Sequence, residues 1–120
     1  MRLLPLVLFG LAAASPALGQ DAERGRQLFN ACSACHPVVA SSGQDGPSLA
    51  GILGRGSAVL TDFRYSRAMG RAGLTWDEAT LDRYLADPQG LVPGTRMAFS
   101  GLERAADRAD VIAYLKSLKQ

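Results

Sequence analysis

The chain predicts an all-α domain of short helices joined by long loops, on three observations. Apolar residues recur at helical spacing in separate stretches, the segments between them are rich in Gly, Pro and Ser, and no alternating run marks a strand. From a cap at Gln20 or Asp21, the residues Ala22, Gly25, Leu28, Phe29 and Cys32 share one face, which predicts an amphipathic helix ending near His36-Pro37. Residues 38–55 contain Gly46-Pro47 and Gly51 and read as loop. Ser66 to Ala72 predicts a short helix closed by Gly73. Thr75-Trp76-Asp77-Glu78 has the form of a capping box, and the helix after it carries Leu81, Tyr84 and Leu85 and stops before Asp87-Pro88. A second loop runs through Pro93-Gly94. Val111, Ile112, Tyr114, Leu115 and Leu118 form the apolar face of a terminal helix. Glu103 and Asp107 stand near its start and Lys116 and Lys119 near its end, which suits the helix dipole. Long loops in so small a domain are expected to line something.

Cys32-Ser33-Ala34-Cys35-His36 says what that something is. Two thiols followed at once by an imidazole match the attachment sequence of covalent haem, in which both sulfurs form thioethers and the histidine reaches the iron. The chain contains 2 cysteines and 1 histidine, so a zinc site would lack its remaining ligands. A disulfide between these cysteines would close a tiny loop and constrain little of the unfolded chain. A thioredoxin-like dithiol would follow a strand in an α/β pattern, whereas helix precedes Cys32. Covalent haem c is therefore the expected cofactor, with a haem-free redox dithiol as the alternative.

Haem iron takes a second axial ligand, and with His36 used the soft candidates are Met69 and Met97. Met97 follows Pro93-Gly94, in a loop free of helical constraints. Met69 lies in the short helical stretch, where packing is the ordinary role of a methionine. The chemistry favours Met97 and leaves Met69 open.

The N-terminus has a basic start at Arg2, an apolar stretch from Leu3 to Ala14, and small residues at Ala17 and Gly19. This pattern reads as a secretory signal peptide over residues 1–19, cleaved before Gln20, with an uncleaved membrane anchor as the alternative. Residues 20–120 then form one domain outside the cytoplasm, in the periplasm of a bacterium. The formal net charge of the chain is +2, and loss of Arg2 lowers it by one. Neither value suggests nucleic acid.

The chain resembles a class I cytochrome c of the mitochondrial-like and bacterial soluble group, from about Gly25 to Lys119. The resemblance is carried by GRQLFNACSACHPV, GPSLAGILGR, FRYSRAMGRAGLTWDEATLDRYL, DPQGLVPGTRMAFSGL and RADVIAYLKSL, in that order. It implies the fold of that family, with the terminal helices crossing at Gly25, Phe29, Tyr114 and Leu115 around one haem. It also implies His36 and Met97 as the axial pair and a Pro47 carbonyl that accepts the proton of the His36 ring. By the same resemblance Arg55, Tyr65 and Trp76 hold one haem propionate, Thr95 lies beside the other, and Tyr84 sits near the methionine sulfur.

Two departures stand out. Positions that form a lysine ring around the haem edge in mitochondrial members read Ala31, Gln89, Gly90 and Glu103 here, with Arg96 the basic survivor. Met69 stands where those members often carry a polar residue.

The expected function is one-electron transfer by a monomeric carrier that is not an enzyme, since both axial positions are taken. Expected partners are membrane electron-transfer complexes: a quinol-cytochrome c reductase and a terminal oxidase or photosynthetic reaction centre. Steering is expected from Arg96 with help from Arg104, and docking from apolar and backbone contacts around Gln89 to Val92. The alternatives are an electron-acceptor subunit of a periplasmic dehydrogenase and a haem-based peroxidase or gas-binding protein.

Overall fold

The computed structural model describes residues 5, 10–12 and 20–119, so the expected signal segment and its cleavage point lie almost wholly outside the described residues. Among the described residues six helices follow one another: α1 (Ala22–Leu28), α2 (Asn30–Ser33), α3 (Arg67–Ala72), α4 (Glu78–Ala86), α5 (Pro88–Leu91) and α6 (Ala105–Ser117). Among the described residues, extended pairing is limited to one isolated bridge, between Gly56 and Thr75. No helix among the described residues is long and apolar enough to cross a membrane.

Asp21 is the cap of α1, its carboxylate accepting the Arg24 N–H at 3.0 Å, so the aspartate rather than Gln20 starts the helix. The single helix expected up to His36-Pro37 is divided at Phe29 into α1 and α2. Gly25 decides how closely α1 crosses α6. A Cβ there would lie 1.9 Å from the Asp110 carbonyl oxygen and 3.0 Å from Tyr114 Cβ, so only glycine permits this approach. Phe29 meets Tyr114 one turn further on, with ring centroids 5.2 Å apart.

A charged clamp reinforces that crossing. Asp110 is only 3% exposed; its Oδ1 accepts the Asp21 N–H at 2.8 Å and its Oδ2 the Arg24 Nη1 at 2.6 Å. Arg24 also forms an ion pair with Asp107 at 2.7 Å. The Asp110 carboxyl is held below the usual carboxylate range, chiefly by the Asp21 N–H and further by Arg24, against the opposing effect of burial.

The middle of the chain follows the expected order with three corrections at helix ends. In α3, Ser66 caps the Met69 N–H at 3.0 Å and Gly73 closes the helix at φ 60°. For α4 the cap is Asp77, accepting from Thr80 N–H at 2.8 Å, and the Thr75 capping box does not form. The reason is pairing: the Trp76 N–H donates to Arg55 O at 2.8 Å and Trp76 O accepts the Gly54 N–H at 2.9 Å, which keeps this segment extended. The loop expected after Asp87 begins instead as α5, because Asp87 Oδ1 accepts the Gly90 N–H at 3.0 Å and Pro88 fits its first turn. Finally, α6 begins at Ala105, leaving Glu103 and Lys119 outside it, so the dipole is matched by Asp107 and Lys116.

Asp110→Ala is expected to cost about 1–3 kcal/mol in urea denaturation at pH 7, the penalty for stranding buried partners. A carboxyl depressed in the folded state contributes above its unfolded pKa, near 3.9 for aspartate, and loses that contribution as pH falls through the folded value. The difference between wild type and variant should therefore shrink below about pH 4.

Candidate functional site

The buried side chains do not close on one another. Phe29, Ile52, Met69, Trp76, Leu81, Tyr84, Leu85, Val111 and Leu115 belong to the core and also line a cavity of about 710 Å³. That volume lies within the range of roughly 300–1,000 Å³ in which proteins hold organic ligands.

One wall is built by α2 and the turn after it. The His36 N–H donates to Cys32 O at 2.9 Å and the Cys35 N–H to the same carbonyl at 3.1 Å, so a single turn brings Cys32, Cys35 and His36 to the cavity. Neither cysteine is engaged in a disulfide. Burial pushes the Cys32 thiol up, and Cys35 adds to the effect, which is the opposite of what a thiolate nucleophile needs. His36 Nδ1 lies 2.9 Å from the Pro47 carbonyl oxygen. A carbonyl can only accept, so Nδ1 carries the proton and Nε2 keeps its lone pair for a metal. Burial holds the His36 ring below the usual imidazole range, partly offset by the Pro47 bond, and so favours the neutral, ligating form. Gly46 makes room for this contact, since a Cβ there would stand 2.6 Å from Cys35 O and 2.9 Å from His36 Nδ1.

The rest of the wall comes from distant segments. Arg55, half-buried, donates from Nη1 to Ser48 O at 2.7 Å and from Nη2 to Ala50 O. Burial lowers the pKa of its guanidinium. Trp76 packs on Tyr84 with centroids 5.0 Å apart, and the Tyr84 hydroxyl is 2.8 Å from Thr95 Oγ1. Tyr65 meets Phe63 edge-on at 5.0 Å. Cys32, Cys35, His36, Pro47, Arg55, Tyr65, Trp76, Tyr84, Thr95 and Met97 thus all face one cavity, and Met69 faces it too.

Other supports carry no mark in the sequence. Asp62 accepts the Ser42 N–H at 2.8 Å and the Ser42 hydroxyl at 2.7 Å, while Ser42 Oγ accepts the Ser48 N–H at 3.0 Å. This strap joins the loop before Pro47 to the segment before Tyr65. Arg96 Nη2 donates to the Arg64 carbonyl, tying the Met97 segment to the same rim. Gly46 was the exception: the Gly46-Pro47 dipeptide already marked a special backbone position.

An apolar cavity with adjacent free thiols, a neutral imidazole at one wall and a guanidinium and a thioether at others fits haem attached through cysteine, the c-type class. The family model for cytochrome c matches residues 22–119. Cytochrome c2 iso-2 of Magnetospirillum fulvum is 54% identical over 90 residues, covering 75% of this chain and 94% of that protein. Cytochrome c2 of Rhodomicrobium vannielii is 43% identical over 120 residues, covering 96% and 95%. Among solved structures, cytochrome cH from Methylobacterium extorquens superposes with a TM-score of 0.77 at 41% identity, over 81% of this chain and 98% of that one. The chain belongs to the cytochrome c family, with haem c as its cofactor and electron transfer as its function.

Gly46→Ala is expected to destabilise the haem-loaded protein by about 1–3 kcal/mol, the usual penalty for overpacking a filled site. Denaturant unfolding followed by haem absorbance measures this. No loss of stability would mean that Gly46 is not needed to hold His36 against Pro47.

Proposed function

We propose that this chain is a periplasmic carrier that passes single electrons between membrane complexes, with His36 and Met97 as axial ligands. The observation that carries this reading is that both side chains face one cavity while residing 61 positions apart, on segments that only the fold brings together. When bound, haem supplies the redox couple, its iron moving between two oxidation states. Everything else is the work of the chain. Cys32 and Cys35 would hold the macrocycle through thioethers. Pro47 fixes the ring orientation and basicity of His36. Arg55 places a cation, and Tyr65 and Trp76 further donors, where a buried propionate would otherwise be costly. Tyr84 and Thr95 share a hydrogen bond, so Tyr84 also orients the hydroxyl assigned to the second propionate. If His36 and Met97 both held the iron, no coordination position would remain for a substrate.

The cytochrome c2 relatives and the pattern of residues 1–19 support periplasmic carriage between a quinol-oxidising complex and a terminal oxidase or reaction centre. Docking would use the face around the cavity rim. Ala31, Gln89, Gly90, Arg96 and Glu103 are all exposed, and Ala31 and Arg96 line the cavity. Val92 is only 3% exposed, so the docking contacts expected up to Val92 fall to Gln89, Gly90 and Leu91. Lys116 is paired with Glu78 at 2.8 Å, which leaves little of its charge to act at a distance.

Met97→Ala should remove the sulfur ligand, lower the reduction potential and let the reduced iron bind carbon monoxide, whereas Met69→Ala should leave coordination intact. Visible spectra of both variants decide this. Loss of the sulfur-to-iron charge-transfer band in the Met69 variant would reverse the assignment.

Electron transfer to the native acceptor should slow only modestly as salt rises, and less still in Arg96→Ala. A steep decline that survives the substitution would place the steering charges elsewhere. Stopped-flow rates across ionic strength make the comparison.

A further inference from the structure

Gln89 is expected only to contribute to the docking surface, yet both ends of its amide are engaged. Its Nε2 donates to the Thr95 carbonyl at 2.8 Å and its Oε1 accepts the Gly94 N–H at 3.3 Å. These partners settle the orientation of the amide, since the end facing a carbonyl must be nitrogen and the end facing an N–H must be oxygen. The side chain therefore bridges both sides of the turn two and three residues before Met97.

The base of this clasp is rigid. Gln89 lies in α5, where Pro88 is fully buried and Asp87 caps the Gly90 N–H at 3.0 Å. The turn it grips is less constrained by its own packing. Pro93, Gly94 and Arg96 are exposed, and Gly94 adopts φ 89°, a conformation open mainly to glycine. Thr95 is held from the opposite side by Tyr84, and Arg96 by the Arg64 carbonyl. The Thr95 N–H donates to Val92 O at 2.9 Å, at the end of α5, and Gln89 is the side chain that links the turn backbone to α5.

We propose that Gln89 is a positioning residue for the distal ligand: by clasping the Gly94 N–H and the Thr95 carbonyl it keeps Met97 in reach of the iron and opposes its exchange for outside ligands. The proposal rests on the reading of Met97 as that ligand. Gln89 acts through the loop and touches neither the iron nor a substrate.

The test uses the ferric haem-loaded protein and imidazole as the competing ligand, titrated by visible absorbance. Gln89→Leu keeps the bulk of the side chain and removes both hydrogen bonds. It should raise imidazole affinity roughly three- to tenfold, the scale set by one net hydrogen bond. Gln89→Glu, of equal size, sets an acceptor against the Thr95 carbonyl and should raise it in the same direction, which keeps the test available if the leucine variant folds poorly. Asp110→Ala, which loosens the distant α1–α6 crossing, should lower urea stability and leave imidazole affinity unchanged. Unchanged affinity in both Gln89 variants, or an equal rise in Asp110→Ala, would overturn the proposal. Met97→Ala tells the two readings apart: if it neither abolishes the sulfur-to-iron band nor raises imidazole affinity, Met97 is not the ligand. If it does both while the Gln89 variants match wild type, only the clasp fails.

Discussion

A cavity of about 710 Å³ stands where a domain of this size would ordinarily keep its core. Phe29, Trp76, Leu81, Leu85, Val111 and Leu115 are each less than a tenth exposed, yet they face that space instead of closing it. A domain of about a hundred residues buries a smaller fraction of its surface than a larger one, and an interior void deprives the atoms around it of contacts. The cofactor is therefore part of the core as well as the seat of redox chemistry. Long loops, few helices and a chain wrapped around one hollow follow from that constraint.

The two sides of the cavity are built differently. On the His36 side the thiols and the imidazole share one turn, and a single non-local contact, the Pro47 carbonyl, completes the arrangement. On the Met97 side the residue proposed as ligand lies on a glycine-containing segment whose neighbours Pro93, Gly94 and Arg96 are exposed. It is held by Gln89, by the Tyr84–Thr95 hydrogen bond and by the Arg96 contact to Arg64. The first arrangement costs little loop-closure entropy because it is local; the second gathers contacts across 32 positions of chain between Arg64 and Arg96. Local stability is expected to differ accordingly between the two sides.

Away from the cavity, the α1–α6 crossing fixes the scaffold. Gly25 removes a side chain so that the backbones can meet, and the buried carboxylate of Asp110 then receives both the first N–H of that region and the Arg24 guanidinium. Close approach and charge pairing support one another: the short distance brings the groups into hydrogen-bond range, and the bonds offset the cost of burying the carboxylate.

The sequence by itself determined the cofactor and carries the proposed attachment and imidazole ligand, because CSACH places three functional groups within one turn and needs no distant partner. Helical periodicity and Ser66 and Gly73 were likewise legible as local signals. Helix ends were legible only where no competitor intervened. Thr75 lost its capping role because Trp76 pairs with Arg55, and α5 was hidden in a Pro/Gly segment because its cap depends on how Asp87 is turned. The assembly of Arg55, Tyr65, Trp76, Tyr84, Thr95 and Met97 on one cavity was legible only through the family resemblance, and the hydrogen bonds of Gln89 were decided by tertiary structure alone. The physical reason is range: a motif records chemistry along the backbone, whereas a hydrogen bond between residues far apart in sequence exists only after packing has brought them together.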